Sequence, residues 1–192
     1  MKEKFTSLLA LALLFAFSGC TISRNPLSSP KTAKPDTRLL GNWQSTEYKD
    51  DAIRITNLHG PWMRMEEITP KTLKAKPQKN SDAFYTGNFY PTTIDLNHFL
   101  NVQVMTYNSK HHREECVGYT FVRYEIIKTN NFVSWSISNE EMAKIVNKRK
   151  LKGRVQGQNV FLNASSNDLV RFLRTTNLTT LFKHRSIYRK IQ

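Results

Sequence analysis

Three stretches of strict alternation constrain the fold of this 192-residue chain more than any other feature. Leu100, Val102 and Val104 alternate with Asn101 and Gln103, Val122, Tyr124 and Ile126 with Arg123 and Glu125, and Val133, Trp135 and Ile137 with Ser134 and Ser136. A period of two turns one side of the chain to a core and the other to water, as in half-buried strands. Thr129-Asn130-Asn131 predicts a tight hairpin between strands at 118–127 and 132–137. Weaker strand patterns lie at 41–48, 52–58, 62–68, 71–76, 83–90, 154–162 and 185–191. Two helices follow this run. Ser138-Asn139-Glu140-Glu141 is a capping box, with Met142, Ile145 and Val146 on one face and Gly153 beyond the end. Ser165-Ser166-Asn167-Asp168 repeats it with Asp for Glu, ahead of Leu169, Phe172 and Leu173. Strands first and helices late predict an α+β fold, mainly β: an antiparallel barrel or strongly curved sheet with two late helices. Eleven Phe, seven Tyr and three Trp supply its core, and only two Cys exclude a disulfide-stapled scaffold.

The chain opens Lys2-Glu3-Lys4, runs uncharged from Phe5 to Phe17 and reaches Ser18-Gly19-Cys20. A charged head, a short apolar run and small residues make a secretory signal, and the run is too short to span a bilayer, which takes about 20 residues. Phe17-Ser18-Gly19-Cys20 resembles a bacterial lipobox, with Phe17 where Leu is usual. The resemblance implies a lipoprotein signal peptide over 1–19, with Cys20 acylated (palmitate-type chains) as the first mature residue. The bland alternative is an ordinary cleaved signal with Cys20 incidental. Thr21 stands where Asp would favour the inner membrane, so the implied address is the outer membrane of a Gram-negative bacterium, facing the periplasm. From Thr21 to Arg38, three Pro, three Ser and no apolar period predict a flexible tether, which divides the chain into 1–19, 20–38 and a domain over 39–192.

Gly41-Asn42-Trp43 carries the Gly-x-Trp spacing that opens the first strand of lipocalin-like (calycin) barrels, which the domain resembles. There the Trp closes one barrel end under a basic side chain from near the C-terminus. The resemblance thus marks Gly41, Trp43, Arg185 and Arg189 as barrel-closing residues. Tyr90-Pro91-Thr92, His98 to Val102, Tyr119 to Tyr124 and Lys150 to Gly153 are similar to segments of a group of small bacterial lipoproteins with no established activity. That likeness implies a fold and an address, and no catalytic residue.

No Gly-x-Ser-x-Gly, phosphate loop, His-Glu-x-x-His or Cys-x-x-Cys is present, so neither catalytic residues nor a cofactor are predicted. His111, His112, Glu115 and Cys116 have metal-ligand side chains, but neighbours on an extended segment point to opposite faces, and a solvated hairpin tip, expected between two strands anyway, is the preferred reading, with no metal predicted. With Cys20 acylated, Cys116 is the remaining thiol, expected buried or else available for intermolecular pairing.

Beyond Cys20 the chain holds 27 basic and 14 acidic side chains, an excess that attracts polyanions. The secretory address removes nucleic acid from the partners and leaves anionic lipid, peptidoglycan carboxylates and acidic proteins. Lys148, Arg149, Lys150, Lys152 and Arg154 are the first candidates for an anionic-surface contact. Lys183 to Lys190 and Lys71 to Lys79 hold two further basic groups. Trp43, Trp62, Phe84, Phe89, Tyr124 and Trp135 either line a ligand pocket or fill the core. Three functions stay open: a membrane-anchored, non-catalytic binding protein for an apolar or anionic envelope ligand, an interaction module that docks a protein partner, and an enzyme without a recognisable motif.

Overall fold

A computed structural model describes residues 19–48, 51–68, 86–108, 113–128 and 130–191. Seven strands run up and down in sequence: β2 (Gly41–Ser45), β3 (Ala52–Asn57), β4 (Met63–Ile68), β5 (Thr86–Ile94), β6 (Asn97–Asn108), β7 (Arg113–Ile127) and β8 (Asn131–Ile137). The last strand, β11 (Phe182–Ile191), enters between β8 and β2 and closes an eight-stranded antiparallel barrel of lipocalin-like form. Between β8 and β11 the chain builds a side layer from α1 (Asn139–Asn147), the hairpin of β9 (Gly153–Gln156) and β10 (Asn159–Leu162), α2 (Ser166–Thr175) and α3 (Leu178–Leu181).

The period-two pattern separates two cores. Trp43, Ile53, Ile55, Met63, Phe89, Leu100, Val102, Tyr124 and Phe132 point inward, at least one from each of β2 to β8, and Tyr188 of β11 stacks on Phe132 at 4.8 Å. On the outer face, Ile94, Phe99 and Phe121 pack against Met142 and Val146 of α1 and Leu169 and Leu173 of α2. Strands β5 to β7 are therefore covered on both sides.

Both helix caps form as predicted. Ser138 Oγ accepts from the Glu141 N–H, and Ser165 Oγ accepts from the Asp168 N–H at 3.2 Å while donating to its carboxylate. Helix α1 ends before Gly153: Arg149 takes φ +55, and its N–H and that of Lys150 bond back to Val146 and Ile145. This is the left-handed closure usually given to glycine. The strand expected over 154–162 is a hairpin, turned at Gly157 with φ +58. The strand expected at 71–76 lies outside the described residues, as do 83–85 of the one expected at 83–90, whose remainder forms the start of β5.

The expected tether is folded. Thr21–Ser23 form strand β1, parallel to β10 and joined to β7 through Ser23 and Tyr119. Leu27 is only 2% exposed, inside the outer core. Its N–H donates to the fully buried Asn101 Oδ1 at 2.7 Å, and Asn101 Nδ2 donates to Thr92. Tyr90 donates to the Ser28 carbonyl, Asn25 to Ala164 and Ser166 to Pro26. A Pro- and Ser-rich segment is ordered here because its backbone groups find partners far along the chain, which composition does not reveal.

Candidate functional site

Strands β1, β10 and β9 lie side by side at the end of the sheet, and β9 has no neighbour beyond it among the described strands. Thr21, Ser23, Val160 and Leu162 are buried on their inner face. The outer face holds Ile22, Phe161 and Arg154, which are in register across the three strands. These residues, with Arg24, Lys152 and the half-exposed Val117, line a groove of about 490 Å³. Its lining includes three cations and no carboxylate. The Arg154 guanidinium lies 5.1 Å from the Phe161 ring centre, an arrangement that holds a cation without neutralising it. A neighbouring groove of about 410 Å³ shares Lys152 and adds Lys150 and Arg171.

Of the five predicted anion-contact residues, Lys152 and Arg154 meet in this groove and Lys150 in its neighbour, whereas Lys148 and Arg149 line neither. Arg24 escaped the sequence reading because it lies in the stretch taken for a tether. Other cations are already paired: Lys144 with Glu140 and Glu141, Lys183 with Glu141, Arg38 with Asp36 and Arg174 with Asp95.

The barrel interior is occupied by protein. Trp43 packs edge-on against Phe132 at 4.9 Å, and Trp43, Phe89 and Tyr124 are all buried. Trp62 sits beside Tyr90 at 4.8 Å, and Trp135, under Arg123, packs on the outer core, so neither belongs to the interior cluster. Phe84 lies outside the described residues. Leu39 plugs one barrel end, and its carbonyl accepts a 2.7 Å bond from the Trp43 indole N–H. Lys190, opposite Trp43 in the β2–β11 register, places its ammonium 5.1 Å from the indole centre. The cation over Trp43 is therefore Lys190, not Arg185 or Arg189, which lie opposite Trp135 and Gln44 across their strands. Gly41, at φ +126, leaves room for the Lys190 stem, since a Cβ there would stand 2.9 Å from Lys190 Cε.

A second cleft, of about 490 Å³, opens at the plugged end, where Asp36, Arg38, His98 and Tyr124 converge. Burial opposes ionisation of Asp36, but hydrogen bonds from Arg38 and Tyr124, with the Arg38 charge, outweigh it and lower its pKa. Burial pushes the Tyr124 phenol well above its ordinary range, and the Asp36 charge adds to the shift. The carboxylate accepts from Arg38 Nε at 2.8 Å, Arg38 Nη2 at 2.7 Å and Tyr124 at 3.0 Å, and it caps the 3₁₀ turn at Thr37–Leu39. With so many donors on one carboxylate, its evident work is to pin residues 36–39 across the barrel mouth.

Glu115 and Cys116 lie on β7, opposite Thr106 and Met105, so they are strand residues and not a hairpin tip. Cys116 is exposed, against the expectation of burial, and its thiol contacts the Gly118 carbonyl at 3.2 Å. An apolar thiol was expected to seek the core, but β7 here runs on past β8, which pairs it only from Val122 onward. His111 and His112 lie outside the described residues, and among those described no three His, Cys, Asp or Glu side chains come together as a metal site. No family model, curated protein or solved structure matches this chain.

Proposed function

We propose that this chain is a lipid-anchored envelope protein on the periplasmic face of a Gram-negative outer membrane, acting by binding and not by catalysis. Its ligand is anionic and is met at the surface groove of β1, β9 and β10, not inside the barrel. One contrast carries this reading: the barrel interior is filled by buried side chains, while three cations line an open groove without an acid. A carrier of apolar molecules needs an enclosed cavity of about 300 Å³ or more, and the packed cluster around Trp43, Phe89 and Phe132 takes that space.

The test is native mass spectrometry of the chain from residue 20, gently purified, then titrated with a short-chain phosphatidylglycerol. The expected outcome is a bare protein mass and a saturable one-to-one adduct that disappears in the Lys152→Glu/Arg154→Glu variant. A stoichiometric apolar adduct retained through purification would overturn the surface reading and restore carriage in the barrel. The edge of β9, unpaired among the described strands, favours a second reading, an interaction module that takes up a partner's strand there. Protection of the β9 amides from hydrogen exchange by an envelope extract, with no phospholipid adduct, would select it.

A further inference from the structure

We infer that the outer face of β1, β9 and β10 rests directly on the anionic headgroups of the same membrane that holds Cys20. This deepens the reading of Cys20 as the acylated residue and rests on it. The first observation is that no spacer separates Cys20 from the sheet. Its N–H donates to Asn159 Oδ1 and its carbonyl accepts from the Val160 N–H, both at 2.9 Å, and Thr21 is already paired with Val160. Acyl chains on the Cys20 sulfur therefore leave from the start of a strand, and the domain has no slack with which to stand clear of the bilayer.

The second observation is which face turns downward. Along an extended strand, side chains alternate, so Cys20 shares a face with Ile22 and Arg24, while Thr21 and Ser23 point into the core. Cys20 and Arg24 are four residues apart, about 13 Å along a strand. That exceeds the Debye length of about 8–10 Å at ordinary salt, so the cations around Arg24 feel the anchoring surface only with this face laid against it, which the shared face of Cys20, Ile22 and Arg24 permits.

The third observation is charge. Arg24, Lys152 and Arg154 make no ion pair among the described residues, unlike Lys144, Lys183 and Arg38, and no acid lines their groove. Between them lie the half-exposed Val117 and the partly exposed Ile22 and Phe161, a short apolar strip flanked by the cations. Phosphate-bearing lipid provides both partners at once, negative oxygens for the cations and glycerol and upper acyl carbons for the apolar strip.

Residues 20–191 contain every described strand and helix, so the chain from residue 20 with Cys20→Ser carries the fold without acylation. Its binding would be measured by co-sedimentation with vesicles of phosphatidylcholine alone or with about 30% phosphatidylglycerol, at low and high salt. The expected result is binding to the anionic vesicles only, reversed by salt and weakened roughly 30-fold or more by Lys152→Glu/Arg154→Glu. Arg185→Glu/Arg189→Glu, an equal charge change at exposed positions on β11, should leave most of the binding in place. Equal loss in both variants, or no preference for anionic vesicles, would overturn the inference. Binding to a soluble acidic polypeptide but not to vesicles would overturn it too and assign the face to a protein. The intact mass of wild-type protein extracted from membranes reads the anchor separately: an unmodified Cys20 would overturn the reading beneath the inference, whatever the vesicles show.

Discussion

Replacing Leu27 with Ala tests whether the segment after Cys20 is part of the domain. Leu27 is 2% exposed and packs in the cluster with Ile94, Phe99, Phe121 and Leu169. The substitution removes three buried carbons, about 2.4 kcal/mol at about 0.8 kcal/mol for each. The cavity left behind raises the loss to about 3 kcal/mol. For a domain of this size that lowers the melting temperature by roughly 6–12 °C. Urea and thermal unfolding of the chain from residue 20 would read it, with Lys31→Ala, an exposed site in the same segment, as the unchanged reference. Asn101→Leu approaches the contact from the other side, since it leaves the buried Leu27 N–H without its acceptor and should cost about 1–3 kcal/mol. The two losses should not add, because the residues share one contact. If Leu27→Ala costs less than about 0.5 kcal/mol, as at an ordinary surface position, the segment is a tether after all.

Three further predictions follow from local geometry. The folded pKa of Asp36 lies below its ordinary value of 3.8, so its bonds to Arg38 and Tyr124 stabilise the fold above the carboxylate range and fade as the pH falls through the folded pKa. The urea midpoints of wild type and Asp36→Asn should therefore differ at pH 7 and converge only as the pH falls below the folded pKa, itself under 3.8, and a gap independent of pH would refute the assignment. Arg149→Gly should raise stability by about 0.5–1 kcal/mol, because relief of the left-handed conformation exceeds the added freedom of the unfolded chain; a loss of stability would contradict this. Lys190→Ala should cost about 0.5–1 kcal/mol through its cation–π contact with Trp43, whereas Arg189→Ala stays within about 0.5 kcal/mol; the reverse order would restore Arg189 as the closing residue.

The barrel strands and both long helices were legible because their signals are local: alternation in β6, β7 and β8, and a Ser cap ahead of each helix. Their lengths were not. β6 runs to Asn108 and β7 begins at Arg113 because each borrows the other as a partner, and pairing holds residues that alternation does not mark. β1 left no trace at all, since a three-residue strand depends on partners far along the chain, as does the Leu27 contact to Asn101 beyond it. The same error hid Arg24 from the groove and made the domain seem to hang from a leash. Lys190 does not stand out in the sequence because the neighbouring arginines carry the same charge, and only the register with β2 places its ammonium opposite Trp43. Lys152 and Arg154 were found because a run of like charge survives any fold.

The seam of the barrel has a bearing on the order of assembly. It joins β2, the first barrel strand, to β11, the last, with Trp43 on one lip and Lys190 on the other. Until β11 arrives, β2 and β8 each present a bare row of backbone donors and acceptors, and Phe132 lacks the Tyr188 ring that covers it. Among the described strands only β11 closes the barrel, so closure waits for nearly the whole polypeptide. A product truncated before Phe182 is accordingly an open, self-adhesive sheet, prone to aggregate and be degraded, and not a domain with a loose end.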